Sequence, residues 1–489
     1  MYKKLITKYK SLSLGVRASF WFLICAFIQK GITSITTPIF TRLLTTDEFG
    51  LYGVFNSWLT ILTAIVSLNL FSGVFVQGLV KFDDIKSQFA SAMQGLTFTL
   101  TIGWTIVYLA FRAFWNNLFS LSTVQMLSMI LIIWTSAVFQ FWAVEQRVDL
   151  KYKNLVILTL VASICRPALG IILIFLSEDK VTATVLGMVI ADVVAYTWLF
   201  FVQLKKGKVF FSKRIWKYAL LFNLPLIPHY LSMTVLTSSD RIMIRNIVGE
   251  SASGIYNVAH GASFIMTMFN TALMQTIEPW LYKKIKNKQI KDISSIAYPT
   301  FILIATVNLL LMALAPEIIY IFAPKEYHEA IWVVPPLAMS VYYMFAYCFF
   351  AVFEFYYEKT RWVLVASASS AICNIILNYI CIERFGYMAA GYTTLVCYIL
   401  YAIFHYLFMR HICKDKLDNN QPYELRIIIM ISLLFMAVGF VFLLTYKCFI
   451  ARYLLLLCIV LGIVIKRKVI ISIIKEMINM KKEGHKKDL

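Results

Sequence analysis

Long apolar runs broken by short polar loops dominate this chain. A helix rises 1.5 Å per residue, so crossing a hydrocarbon layer of about 30 Å takes roughly 20 apolar residues. Runs of that kind stand at 18–40, 50–77, 88–111, 119–144, 154–177 and 181–204. A basic connector, KKGKVFFSKRIWK, occupies 205–217. Eight more runs follow at 218–238, 249–277, 293–315, 329–356, 361–382, 387–409, 427–446 and 450–466. The pattern predicts an all-α membrane protein of about fourteen transmembrane helices, with Lys447 and Arg452 crowding the turn between the last two.

A weak internal repeat divides these runs. Pro225 to His260 reads as a helix carrying two prolines and His229, a short polar turn with Asp240 next to Arg241, and a glycine-led second helix. Residues 41–63, TRLLTTDEFGLYGVFNSWLTILT, echo it. Gly50, Tyr52, Val54 and Thr63 align with Gly254, Tyr256, Val258 and Thr267, and Arg42 falls on Arg241 when the second turn is about five residues longer. ASICRPALG at 162–170 also echoes SAICNIILN at 370–378. The two echoes share nearly one offset and one direction, which suggests two parallel halves. The expected organisation is a six-helix lobe at 1–204, the connector, a second six-helix lobe at 218–412, two extra helices at 425–468 and a basic tail at 469–489.

Composition agrees with a membrane solvent. Hydrophobic residues make up 60% of the chain and charged residues 15%, with mean hydropathy +0.76. A soluble domain has about 25% charged residues. The net charge of +21 raises the possibility of nucleic-acid binding, but the basic residues sit in loops and tails. Between these runs, Lys and Arg alternate strongly. The termini and even-numbered loops hold 35 and the odd-numbered loops 9, with Lys30 and Arg166 inside spans. By the positive-inside rule both termini are expected to be cytoplasmic, where anionic lipid attracts the charges. The N-terminal MYKKLITKYK leads into a full apolar span without a small-residue cleavage site, so a cleavable signal is not expected. The nine cysteines show no metal-ligand or CxxC spacing and read as small buried hydrophobes. The odd-numbered loops leave no room for an external catalytic domain, and no GxxxxGK[ST] loop is present for a nucleotide. A transporter without a cofactor, driven by an H⁺ or Na⁺ gradient or passively equilibrating, is the class that remains.

Ionisable groups in mid-span are costly and face cavities or partners. Lys30, Arg166 and Asp192 lie near span centres in the first half, and His229 and His260 near them in the second. Arg42, Arg241 and Arg245 are expected at the outer mouth, and Glu145, Glu278, Glu354 and Glu358 near the inner one. Arg166 and Asp192 have similar depth on consecutive helices and could neutralise each other. Asp240 and Arg241 could cap a turn, the histidines could be core residues, and Glu354 with Glu358 could pair with Lys359 or Arg361. Lys30 has no carboxylate on its own turn and is the leading anion contact. Gln29, Asn374 and Asn378 add neutral polar groups, the two asparagines one turn apart and suited to interhelical bonds or sugar hydroxyls.

Three stretches resemble a known family. SFWFLICAFIQKGITSITTPIFTRLLTTDEFGLYGVFNSW is similar to the opening of Wzx-type oligosaccharide flippases, and NLPLIPHYLSMTVLTSSDRIMIRNIVGESASGIYNVA resembles the start of their second lobe. NIILNYICIERFGYMAAGYTTLVCY at 374–398 resembles a late pattern of the same family. The resemblance covers roughly residues 18 to 410. It implies the MOP-superfamily fold shared with MATE exporters and MurJ, two six-helix lobes around a V-shaped cleft. It also implies transport of undecaprenyl-diphosphate-linked repeat units across the bacterial inner membrane, for O-antigen, capsule or exopolysaccharide synthesis. The arginine-rich opening and PNxxRR segment expected of MurJ are absent, as is the usual MATE opening.

On this reading Lys30, Arg166, Arg42 and Arg241 meet the diphosphate, and Asp192 and Glu354 are ion-coupling candidates. Gln29, His229, His260, Asn374 and Asn378 line a polar cleft. The expected partners are the lipid-linked oligosaccharide, membrane lipids and other polysaccharide assembly proteins. A MATE-like cation antiporter and a membrane enzyme of glycan assembly are the alternatives. The antiporter should concentrate carboxylates at mid-depth, and the enzyme should carry an acid/base cluster.

Overall fold

The computed structural model describes residues 14–465 and 467, apart from the side chains at 15, 16, 19, 30, 276 and 360. The described chain is built from helices joined by short turns. Twelve of the helices are long and apolar enough to cross a membrane, which makes this a multi-pass membrane protein. The chain divides into two compact units, Met1–Arg245 and Asn246–Leu489.

The first unit contains α1 (Leu14–Leu43), α2 (Thr46–Val66), α3 (Gly73–Lys81), α4 (Lys86–Ala110), α5 (Arg112–Phe119), α6 (Thr123–Val148), α7 (Tyr152–Ile174), α8 (Lys180–Gly207), α9 (Lys213–Asn223) and most of α10 (Ile227–Ile247). Helix starts follow local chemistry. Thr45 accepts from the Glu48 amide while the Glu48 carboxylate accepts from the Thr45 amide, a capping box that opens α2. Ser122 and Gln125 repeat it at α6. The run expected at 119–144 therefore becomes α6 at 123–148, because left-handed Ser120 ends α5 and the box resets the start. The run expected at 50–77 breaks into α2 and α3. Leu68 and Asn69 adopt positive φ there, and the Leu68 carbonyl is taken by the Asn223 amide.

Asp240 and Arg241 were expected in a turn. The structure puts both inside α10, which runs on to Ile247. No glycine or proline interrupts 229–247, and Thr237 satisfies its hydroxyl on the Met233 carbonyl without leaving the helix. The division between units falls one helix beyond the basic connector. Ile242 of α10 packs against Val54 and Ile61 of α2, tying that helix to the first unit.

Helices α7 and α8 approach most closely at glycine. A Cβ on Gly187 would stand 2.3 Å from the Gly170 backbone nitrogen, so only hydrogen fits. This contact sets the distance at which side chains a turn or so away can meet.

The second unit contains α11 (Glu250–Phe264), α12 (Met266–Lys286), α13 (Ile293–Ala313), α14 (Ala315–Phe322), α15 (Val334–Tyr356), α16 (Thr360–Phe385), α17 (Ala389–Lys416), α18 (Leu425–Thr445) and α19 (Phe449–Ile465). Its centre is α15, buried along most of its length and touching α11, α12, α13, α17 and α18. Phe301, Phe345 and Phe349 interlock at this core.

Fourteen spans were expected, and twelve helices qualify among the described residues. The run at 249–277 is interrupted at Ile265, and the continuing helix carries Glu278, Pro279 and three lysines in its last turn. The last helix has 17 described residues, Phe449–Ile465. The run expected at 329–356 begins at Val334, because residues 325–332 wind as a 3₁₀ segment ahead of Pro335 and Pro336. Arg452 does not sit exposed at a crowded turn. It is buried and hydrogen-bonded to Glu317 of α14, with Tyr453 donating to the same carboxylate at 3.0 Å.

Candidate functional site

Arg166 and Asp192 meet. The guanidinium donates twice to the carboxylate, from Nε to Oδ1 at 2.5 Å and from Nη2 to Oδ2 at 2.8 Å. Asp192 is fully buried, whereas the Arg166 side chain keeps 32% of its surface exposed. Two charges taken out of water recover their desolvation cost only with good geometry and further hydrogen bonds, and this fork-to-fork arrangement supplies two. The Tyr196 ring lies 5.9 Å from the guanidinium carbon and adds cation–π attraction.

The exposed part of Arg166 lines a cavity of about 160 Å³ inside the first unit. Gln29, Thr33 and Thr36 come to it from α1, where spacings of three and four put polar side chains on one helical face. Tyr52 comes from α2, Ser163 and Pro167 from α7, and Thr184 from α8. Proline lacks an amide hydrogen, so position 167 cannot donate to the Ser163 carbonyl one turn back. The cavity wall thus combines a cation with hydroxyl and amide side chains.

The other expected residues are dispersed. Lys30 follows Gln29 on α1, but its side chain lies outside the described residues. Arg42 is exposed on the last turn of α1 and donates to the Pro38 carbonyl at 2.7 Å. Arg241 is half-buried on α10 and reaches the Thr237 carbonyl. His229 is half-buried beside Tyr230, and His260 stacks on Phe264 with centroids 4.0 Å apart.

In the second unit the two asparagines are buried, and the Asn378 amide donates to the Asn374 oxygen at 3.1 Å. Thr393 of α17 donates to Asn378, so this set bridges α16 and α17. Glu354 is fully buried in the last turn of α15 and pairs with His405 of α17 at 2.6 Å. Glu145 is likewise buried. It accepts from Gln203 at 2.9 Å and from Lys206 at 2.7 Å, and Gln203 in turn accepts from Gln94.

Residues 16–285, more than half of the chain, match the model of the family described as "Polysaccharide biosynthesis protein". The chain belongs to that family.

Two Haemophilus influenzae proteins are similar at lower coverage. Protein 1 of the Lsg locus is 24% identical over 40% of this chain, and an uncharacterized membrane protein is 22% identical over 48%. The matches span 51% and 61% of those relatives' lengths. Among solved structures, the lipid II flippase MurJ in an inward closed conformation aligns with a TM-score of 0.68 at 17% identity, covering 91% of this chain and 99% of MurJ. An inward-facing multidrug resistance MATE transporter of the MOP superfamily aligns with a TM-score of 0.58 at 15% identity, covering 80% of this chain and 96% of that one. This polysaccharide biosynthesis family member thus has a fold like that of the MurJ and MATE structures.

Two partners in its charged sites had gone unremarked in the sequence. His405 stands among aromatic residues of an apolar helix, and only its spacing of four from Tyr401 hinted at a shared face. Tyr196 lies four residues after Asp192, the spacing that places it over the same turn.

Proposed function

We propose that this protein is a flippase for polyprenyl-diphosphate-linked oligosaccharide repeat units, working by alternating access in the bacterial inner membrane with both termini in the cytoplasm. The observation that carries the reading is Arg166, fixed by buried Asp192 and still part-exposed in a cavity lined with hydroxyls. A diphosphate leaving water needs cationic or hydrogen-bonding partners, and a preorganised guanidinium offers both at little ordering cost. The threonine and glutamine lining suits the sugar hydroxyls, while the polyprenyl chain remains in lipid. Family membership and the fold of a lipid-linked substrate carrier support the same conclusion.

A MATE-like cation antiporter shares the fold. It would need an available carboxylate at mid-depth, and Asp192 has both oxygens committed to Arg166. The anionic substrate is therefore the better fit.

The test is reconstitution into liposomes with a lipid-diphosphate-linked oligosaccharide, scoring how much glycan becomes accessible to an outside probe. Protein-dependent translocation that weakens in Lys30→Ala and Arg166→Ala is expected. Translocation of organic cations in place of the glycan would overturn the reading.

A further inference from the structure

The Glu354–His405 pair has no part in the anion cavity, and its surroundings are unusual. Both side chains are fully buried, and Nδ1 of the imidazole lies 2.6 Å from Oε1 of the carboxylate. The rings of Tyr347 and Tyr401 flank the imidazole, with centroids at 5.4 Å and 4.4 Å. Glu354 Oε2 and His405 Nε2 are buried and have no hydrogen-bond partner among the described residues. The other titratable groups in this neighbourhood are Tyr398 on α17, Cys348 on α15 and, facing Cys348 from α12, Glu278. Tyr282 donates to Glu278 at 2.9 Å.

Counting protons on the pair limits its states. With none, the site is a lone buried carboxylate; with two, a lone buried imidazolium. Either leaves a net charge in a dry interior, which is costly. With one proton the pair is neutral overall, whichever of the two groups holds it. The dry site is therefore expected to keep one proton between the two groups. The one-proton state still leaves an Nε2–H donor without an acceptor, so water is welcome at the site. Once water enters, each group is solvated separately and the reason for retaining the proton is gone.

We propose that Glu354 and His405 form a proton-binding site in the second unit, holding one proton when closed and exchanging it when hydrated. That this exchange couples a proton gradient to movement of the lipid-linked glycan rests on the flippase reading above. No bond is made or broken except the N–H or O–H bond to the carried proton.

Full-length protein carrying isotope-labelled histidine in lipid nanodiscs tests the site itself, with H405Q assigning its resonance among the six histidines. At about pH 8, where an ordinary histidine is neutral, His405 is expected to show the imidazolium pattern, or else infrared spectra show a protonated-carboxyl band that E354Q removes. A neutral His405 with no such band overturns the proposal. Should E354Q fail to fold, the band is sought in H405Q, where the buried carboxyl left with a neutral partner is expected to keep its proton.

Proteoliposomes with an imposed pH gradient test the coupling. The ratio of glycan translocation with and without the gradient is expected to fall from several-fold in the wild type to unity in E354Q. An unchanged ratio overturns the coupling. Failure of the wild type to move glycan at all counts against the flippase reading alone, since the nanodisc spectra stand without it.

Discussion

Arg166 and Asp192 carry two roles that mutation can separate. Removing one partner of a buried ion pair leaves the other charge stranded, at a cost of about 3–5 kcal/mol. R166M is therefore expected to lower the thermal midpoint of the purified protein more than D192N does, because it strands the fully buried Asp192, whereas D192N leaves an arginine that is still part-exposed. The double variant R166M/D192L should recover most of that stability, since apolar replacement of a buried pair is often neutral or stabilising. It should not recover translocation.

A second residue-scale prediction concerns the loop before α7. Burial pushes the Asp149 carboxyl up, but hydrogen bonds from Lys86 at 2.7 Å and Lys151 at 2.9 Å outweigh it and hold it below the usual range. A depressed carboxylate stabilises the fold above its unfolded value, near 4, and that stability is lost as the pH falls through the lower folded value. D149N should flatten the acid limb of the stability–pH curve by under about 1 kcal/mol, as suits a surface pair. Charges in apolar runs were legible as residues. Their partners were not, because pairing across helices depends on rotation and depth that no loop count supplies. Arg166 and Asp192 could be suspected together, whereas Glu354 was expected near the inner mouth as an ion-coupling candidate, with Lys359 or Arg361 as its possible partners, and His405 was overlooked.

At the scale of elements, glycine decides how close α7 and α8 come. G187A inserts a methyl group where the Gly170 backbone already stands, and overpacking of this kind costs about 1–3 kcal/mol. The helices must part, lengthening the Arg166–Asp192 bonds, so G187A should lower both thermal midpoint and translocation, whereas G103A, with open space around it, should change neither. Apolar runs located most of the helices, because burial in lipid is a composition signal. Their interruptions were less visible. The turn at Leu68 and Asn69 is hidden within apolar sequence, and the polar string at 237–241 looked like a turn although serine and threonine hydroxyls can bond back to their own helix.

For the whole molecule, the repeat suggested two parallel halves, and the chain divides into two compact units. The boundary was displaced because α10 packs on α2 through Ile242, a tertiary contact with no local signature. The last helices illustrate the same limit. Arg452 looked like an obstacle to a span, yet it is the tie that docks α19 through Glu317, helped by Tyr446, which donates to the Met312 carbonyl at 2.6 Å. E317A strands that arginine and should loosen the C-terminal pair. Limited proteolysis near residues 446–448 is expected to speed up in it while the first unit keeps its resistance.

Pro167 bears on how the protein trades durability for motion. A proline within a helix costs about 3 kcal/mol, and this one sits beside the charge that the cavity presents. P167A would restore an amide donor to the helix, so α7 should become a stiffer rod. The natural chain on this view is deliberately softer than it could be. A hardened variant selected for heat tolerance would be a slower machine, and a plot of melting temperature against turnover across substitutions at this position should slope downward.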